Sequence, residues 1–225
     1  MNLEKTDIIN STHTVGGIVM LVKIIVDNFL SFNDETELTM IPSNKTRKKP
    51  EHKINVKNTS LLKYAVIYGA NAAGKSNLVE AFRFIQFCVC KTIPIQATTM
   101  FCKSKESNSK KPSTFEIQFT VNDKFYAYGF TLILQERKII SEWMYELYQN
   151  GSAKTLFERE QGQKPRIGEK VTLDISDKTK MQTYLEDFDE DSNILFLSFM
   201  NHGKRYAPSS KLGFFKKVFN WIDRK

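Results

Sequence analysis

The centre of the chain alternates apolar and polar residues in several successive runs. Between residues 115 and 121, apolar side chains occupy every second position, and this period of two is typical of a strand with one buried face. Further runs follow at 125–134, 139–148 and 155–159. The pairs Asn122-Asp123 and Asn150-Gly151 separate them and favour tight turns. The pattern predicts an antiparallel meander. We assign its aromatic residues to packing rather than to base stacking: Phe125, Tyr126, Tyr128 and Phe130.

Other elements are predicted on either side of the meander. Residues 20–32 are rich in β-branched side chains and predict a strand, with 36–41 as its partner. Tyr64–Tyr68 is a continuous apolar run, which predicts a strand buried on both faces. After Ser76, apolar residues recur at helical spacing, and the chain past Gly168 also has a more helical pattern. Its last apolar stripe consists of Phe214, Phe215, Val218, Phe219 and Ile222.

The strand and helix predicted around residue 70 enclose a glycine-containing loop. Gly69, Gly74, Lys75 and Ser76 have the spacing G-x-x-x-x-G-K-[ST] of a phosphate-binding P-loop, or Walker A motif. Glycines let successive N–H groups wrap phosphate oxygens, and the helix N-terminus adds further donors. Lys75 would reach the β- and γ-phosphates, and the Ser76 hydroxyl would be a ligand of Mg²⁺. The predicted ATP-binding residues are Gly69, Ala70, Asn71, Ala72, Ala73, Gly74, Lys75, Ser76 and Asn77.

Three stretches resemble a known family: the loop GANAAGKSN, the LVEAF that follows it and the earlier VDNFLSFNDETELTM. They are similar to the ABC-type ATPase heads of the SMC, RecF and OLD group. The resemblance is greatest to bacterial AAA-type ATPases of that group, including RloA-like and other phage-defence or DNA-repair proteins. In these relatives an N-F-x-S-F segment lies near the P-loop and helps form the adenine side of the site. Here it is Asn28, Phe29, Leu30, Ser31 and Phe32. Because many relatives have arginine where this chain has Leu30, no ligand role is carried over to that position.

The resemblance implies an α/β fold, the P-loop NTPase of ABC-ATPase type. Residues 20–225 would form its N-terminal lobe, with a mixed sheet around the P-loop helix and an antiparallel β subdomain. Residues 1–19 are expected to be a disordered extension. The implied cofactors are ATP and Mg²⁺. The implied partners are a second copy in a homodimer or a complementary ATPase half, together with a nuclease effector and DNA.

Two further motifs of the family are not found in the sequence. There is no L-S-G-G-like signature and no apolar strand that ends in the adjacent acids of a Walker B motif. We therefore expect the N-terminal part of an ATPase, which binds ATP but hydrolyses it poorly on its own. No catalytic residue is assigned. Gln86, Gln118 and Gln135 remain equal candidates for the glutamine that senses the γ-phosphate.

The composition gives limited information about binding partners and cellular location. The 33 Lys and Arg against 25 Asp and Glu give a net charge of +8, which is compatible with a polyanionic partner. The basic loops at 42–53 and 103–114 are more typical of solvated loops, as is the acidic cluster at 187–191. Three cysteines without metal or disulfide spacing indicate reduced thiols, and no apolar run is long enough to span a bilayer. These features favour a cytoplasmic protein.

Two other functions remain open at this point. One is a small self-sufficient P-loop kinase or NTPase, which turnover by the isolated chain would favour. The other is a non-catalytic module that binds nucleic acid and retains a vestigial P-loop. Loss of ATP binding on substitution of Lys75 would exclude that module.

Overall fold

Ten strands and four α-helices form the regular structure of residues 12–14, 17–43, 49–71, 73–191 and 193–223, which the computed structural model describes. The strands are β1 (Thr12–Thr14), β2 (Gly17–Asp27), β3 (Thr36–Thr39), β4 (Lys53–Val56), β5 (Thr59–Leu62), β6 (Ser113–Val121), β7 (Lys124–Ile133), β8 (Lys138–Leu147), β9 (Ala153–Glu160) and β10 (Arg166–Ile167). The helices are α1 (Lys75–Cys90), α2 (Ile175–Asp187), α3 (Phe196–Phe199) and α4 (Gly213–Asp223).

Eight of the strands form one sheet in the order β1-β2-β6-β7-β8-β9-β10, with β3 paired to β2, and each of these pairs is antiparallel. The alternating residues of β6 are opposed by apolar residues of β2, as where Ile24 lies opposite Ile117. Asn122 and Asp123 both have positive φ in the turn between β6 and β7, as a tight hairpin requires. The predicted meander and the pairing of β2 with β3 are confirmed.

One face of the sheet is covered by helices. The buried side of α1 consists of Ala81, Phe84, Ile85, Cys88 and Val89, which share one helical face. Helix α4 packs beside it, and its Trp221 stacks on Phe119 of β6 with ring centroids 4.4 Å apart. The helices predicted after Ser76 and at the end of the chain are confirmed. No helix in the described ranges is long and apolar enough to cross a lipid bilayer.

The mixed sheet that was expected around the P-loop helix is not observed. The sheet against which α1 packs is antiparallel throughout its described pairs, and it contains β2 and the meander together. The aromatic positions of β7 are packing residues, since Tyr126, Tyr128 and Phe130 are buried. The fold class is therefore mixed α/β, with the predicted β subdomain supplying the sheet itself.

The prediction of a buried strand at Tyr64–Tyr68 is wrong for the described structure. Residues 64–69 have no strand assignment and make no backbone–backbone hydrogen bond to the described residues. The exposed fractions of Val66 and Tyr68 are 63% and 91%. The physical reason is that a strand needs a neighbour for its ladder, and no described strand lies beside this run.

The predicted extension at residues 1–19 is described only in part. Residues 12–14 and 17–19 belong to β1 and β2, where Thr12 pairs with Val19. Residues 1–11, 15 and 16 lie outside the described residues. The division of the chain at residue 19 stays a prediction.

Candidate functional site

The loop 69–77 follows the unpaired run at 64–68 and includes the first residues of α1, which begins at Lys75. Gly74 precedes the helix with φ +83°, and its carbonyl accepts a hydrogen bond from the Asn77 N–H at 3.0 Å. The buried face of α1, from Ala81 to Val89, belongs to the same hydrophobic core as residues of the sheet, and this packing holds the helix in place. The order of apolar run, loop and helix that the sequence predicts is thus present, although the run pairs with no described strand.

Lys75 closes the loop on itself. Its Nζ donates to the carbonyl oxygens of Gly69 at 2.9 Å and Ala70 at 2.8 Å. The ammonium therefore lies inside the curve of the loop. These neutral acceptors can be exchanged for phosphate oxygens, which form stronger, charge-assisted hydrogen bonds.

The described residues of the loop range from exposed to half-buried. Gly69, Ala70, Asn71, Ala73 and Ser76 are exposed, whereas Gly74, Lys75 and Asn77 are half-buried. Ala72 lies outside the described residues. Among the described residues, no hydrogen bond involves the Asn71 or Ser76 side chain, and the first turn of α1 contains no acidic residue. The helix N-terminus is therefore electrostatically suited to an anion.

Only one of the two motif glycines is required by the described backbone. A Cβ on Gly74 would lie 2.7 Å from the Ser31 hydroxyl oxygen, and φ +83° disfavours any L side chain there. A Cβ on Gly69 would meet its nearest atom at an ordinary 3.6 Å. Close approach and left-handed geometry are therefore features of Gly74.

The segment 28–32 lies beside the loop, as the resemblance implied. The sequence predicted a strand to residue 32, but β2 ends at Asp27 and a tight turn follows. Phe29 and Phe32 exchange two backbone hydrogen bonds of 2.9 and 2.8 Å across this turn. Ser31 at its tip is exposed and lies against Gly74.

A comparison with protein families matches residues 65–198 to a family described as 'AAA domain, putative AbiEii toxin, Type IV TA system'. The match covers more than half of the chain. The chain belongs to this AAA-domain family. Membership indicates nucleotide binding and a P-loop NTPase character. A comparison with curated proteins found no match.

Within the described residues, none of the three candidate glutamines of the AAA domain hydrogen-bonds to its loop at 69–77. Gln86 donates from Nε2 to the carbonyls of Ile222 and Asp223, and it lies ten residues, or about 15 Å, along α1 from Ser76. Gln118 donates to Glu116 on the sheet. Gln135 is exposed in a turn after β7. None of the three hydrogen-bonds to Lys75 in the described structure, where the ammonium donates to Gly69 and Ala70.

Within the described residues, the acidic cluster and the two basic loops make no hydrogen bond to residues 69–77. Asp189 accepts from the Asp191 N–H in a turn after α2. The loop at 103–114 contains a short 3₁₀ helix, Glu106–Ser109, before β6 begins. In the loop at 42–53, residues 44–48 lie outside the described residues. In the described part of the AAA domain, no group of three His, Cys, Asp or Glu side chains could hold a metal ion.

A buried ion pair in the AAA domain was missed at the level of sequence. Glu142 of β8 accepts from the N–H groups of Phe196 and Leu197 at 2.6 and 3.0 Å and from the Tyr128 hydroxyl at 3.0 Å. Arg159 of β9 lies 3.9 Å from its carboxylate. Burial raises the pKa of Glu142 and lowers that of Arg159, and each charge opposes the shift of the other. Nothing in the sequence indicated this pair, because charged residues within a predicted strand normally face solvent.

Proposed function

We propose that the chain binds ATP with Mg²⁺ through residues 69–77 and is the N-terminal part of an ABC-type ATPase of the OLD and RloA-like group. The observation that carries the proposal is the Lys75 ammonium inside a Walker A loop at the start of α1. The family match supports the nucleotide. The turn at 28–32 beside Gly74 supports the ABC-type arrangement, in which such a segment accompanies the loop.

The residues present fit a magnesium ion bound together with the nucleotide. Ser76 is exposed in the first turn of α1. Its hydroxyl makes no hydrogen bond within the described residues and is therefore available to a ligand. A hydroxyl oxygen suits Mg²⁺, which is usually held by few protein groups and by substrate phosphates. The ion would supply positive charge that offsets that of the phosphates. Lys75 and the N–H groups of the loop would orient them.

The open run Tyr64–Tyr68 supports the proposal of a partner. Ile67 is 46% exposed and Val66 63%, so both faces of an apolar segment are open at the entrance to the loop. Full burial of an exposed side chain of this size yields about 1.5–3 kcal/mol, and these partly covered side chains would each contribute a fraction of that. We propose that a complementary ATPase half, or a second copy of this chain in a homodimer, covers this run when nucleotide is bound. This association would act in the cytoplasm.

The biological role belongs to the same proposal. The description of the matched family names a toxin and a type IV toxin–antitoxin system. The sequence also resembles ATPases of phage defence and DNA repair. We propose that ATP-dependent association of the chain drives a nuclease effector or a contact with DNA in one of these processes. The net charge of +8 is compatible with a nucleic-acid partner.

The decisive test is equilibrium binding of ATP with Mg²⁺ to the wild-type chain and to Lys75→Ala. We expect binding about 10- to 100-fold weaker in the variant, because charge-assisted hydrogen bonds to phosphate are lost. Lys91→Ala is the matched control, since Lys91 follows the opposite end of α1. Hydrolysis is followed in the same samples and is expected to be slow. Unchanged binding in Lys75→Ala would contradict the proposal, and brisk turnover would favour a self-sufficient NTPase.

The partner is tested by substitution of the open run. Val66→Thr together with Ile67→Lys should leave the urea midpoint of unfolding nearly unchanged, because both side chains are already exposed. The same change should abolish self-association measured by sedimentation with ATP and Mg²⁺. Ile175→Lys is the control, because Ile175 is 85% exposed on a different element, α2. A wild-type chain that stays monomeric with bound ATP would contradict the homodimer.

A further inference from the structure

The turn that carries Ser31 has an uncommon backbone. Asn28 and Leu30 both have φ +50°, in the left-handed region that non-glycine residues seldom occupy. A leucine gains nothing locally from this conformation. It persists only where the surroundings determine it, and such strain is concentrated at functional sites.

Buried hydrogen bonds determine this conformation. The Asn28 side chain is fully buried and donates from Nδ2 to the carbonyls of Asn108 at 2.9 Å and Lys111 at 2.8 Å. Its Oδ1 accepts from the Cys102 N–H at 3.2 Å. The carbonyl of Asn28 accepts from the Ser113 hydroxyl at 2.6 Å, and the N–H of Leu30 donates to Met100 at 2.7 Å. The loop between α1 and β6, residues 91–112, therefore holds the turn in place through these hydrogen bonds. We call this loop the cradle.

An aromatic cluster fixes the same turn against α1. Phe29 is fully buried, and its ring centroid lies 5.2 Å from that of Phe84 in α1 and 5.0 Å from that of Phe115 in β6. The helix that begins at the phosphate loop thus contacts the residue two positions before Ser31. The distance between Ser31 and Gly74 is consequently set from both sides by packed elements.

We infer that Ser31 is a positioning residue of the phosphate loop. A Cβ on residue 74 would lie only 2.7 Å from its hydroxyl oxygen, so the Ser31 side chain packs closely against Gly74 and supports the left-handed conformation from which the loop N–H groups and Lys75 would face the phosphates. The cradle holds the turn in place, and Ser31 of this turn contacts Gly74 of the phosphate loop. The role in phosphate binding rests on the proposed function, whereas the contact with Gly74 does not.

The test is a double-mutant cycle with Ser31→Ala and Gly74→Ala, read out by equilibrium binding of ATP with Mg²⁺ and by urea unfolding without nucleotide. Ser31→Ala should weaken binding about two- to fivefold, and Ser31→Thr, which keeps the hydroxyl and a restricted χ1, should restore it. Gly74→Ala should weaken binding at least about tenfold. In the Ser31→Ala background its effect should be at least about threefold smaller, because the hydroxyl no longer opposes the added methyl group.

Two control variants separate this contact from general effects. Gly151→Ala adds a side chain at φ +80° where no atom lies within 4 Å, so it measures the cost of the left-handed conformation alone in unfolding. Ser107→Ala removes an exposed hydroxyl from the cradle loop and should change neither readout.

The outcomes distinguish this inference from the proposed function. Additive effects of the two substitutions in both readouts would overturn the inference, even with ATP binding intact. If the wild-type chain bound no ATP, the proposed function would fail. Non-additive unfolding would then still support the contact between Ser31 and Gly74.

Discussion

Replacing Arg159 with methionine is expected to lower the free energy of unfolding by about 3–5 kcal/mol, the usual cost of removing one partner of a buried ion pair. Arg159 is 2% exposed and donates to the carbonyls of Ile194 at 2.9 Å and Glu190 at 2.8 Å. It also lies over the Phe188 ring at 4.7 Å. The substitution would leave the carboxylate of Glu142 without a counter-charge and these carbonyls without a donor.

The measurement is urea unfolding followed by the fluorescence of Trp143 and Trp221. Arg166→Met is the matched control, because Arg166 pairs with Glu158 at the surface with an 80% exposed side chain, and it should cost less than about 1 kcal/mol. Adding Glu142→Gln to Arg159→Met should recover part of the loss, since no unpaired charge then remains. Equal costs for Arg159→Met and Arg166→Met would show that the buried pair has no special weight.

Replacing Phe29 with alanine is the second large expected effect, about 3–5 kcal/mol of unfolding free energy. The ring is fully buried between α1 and β6, and its loss leaves a cavity that the surrounding sheet and helix cannot fill. Because Phe29 also anchors the turn that carries Ser31, ATP binding should weaken as well, under conditions where the variant is folded.

The same unfolding assay tests this effect, with two comparisons. Phe29→Leu keeps most of the apolar volume and should cost about 1.5 kcal/mol or less. Phe87→Ala removes a ring that is 39% exposed on α1 and should cost less than Phe29→Ala by at least about 2 kcal/mol. A Phe29→Ala variant as stable as Phe87→Ala would contradict the anchoring role.

Local chemistry made much of the fold predictable. The alternation at 115–121 marks β6 because a half-buried strand must repeat every two residues, and the Asn-Asp and Asn-Gly pairs mark turns because those residues tolerate positive φ. The P-loop spacing and the helix after it were recognised for the same reason, since backbone approach to phosphate and helix initiation both depend on neighbours in the chain.

Contacts between residues that are distant in the chain could not be predicted from the sequence. Glu142 and Arg159 are distant in the sequence, and their pairing depends on the register of β8 with β9. The cradle for Asn28 is formed by residues more than seventy positions later. Neither arrangement has a local periodicity from which it could be inferred.

By itself, the sequence determined the meander, the helices after Ser76 and at the end of the chain, and the phosphate-loop motif, because each follows from the spacing of residues within one segment. The tertiary structure decided that β2 joins the meander in one antiparallel sheet, that Tyr64–Tyr68 remains open and that Ser31 lies against Gly74. Whether an apolar run becomes a buried strand depends on a hydrogen-bonding neighbour, which is a property of the folded molecule rather than of the run.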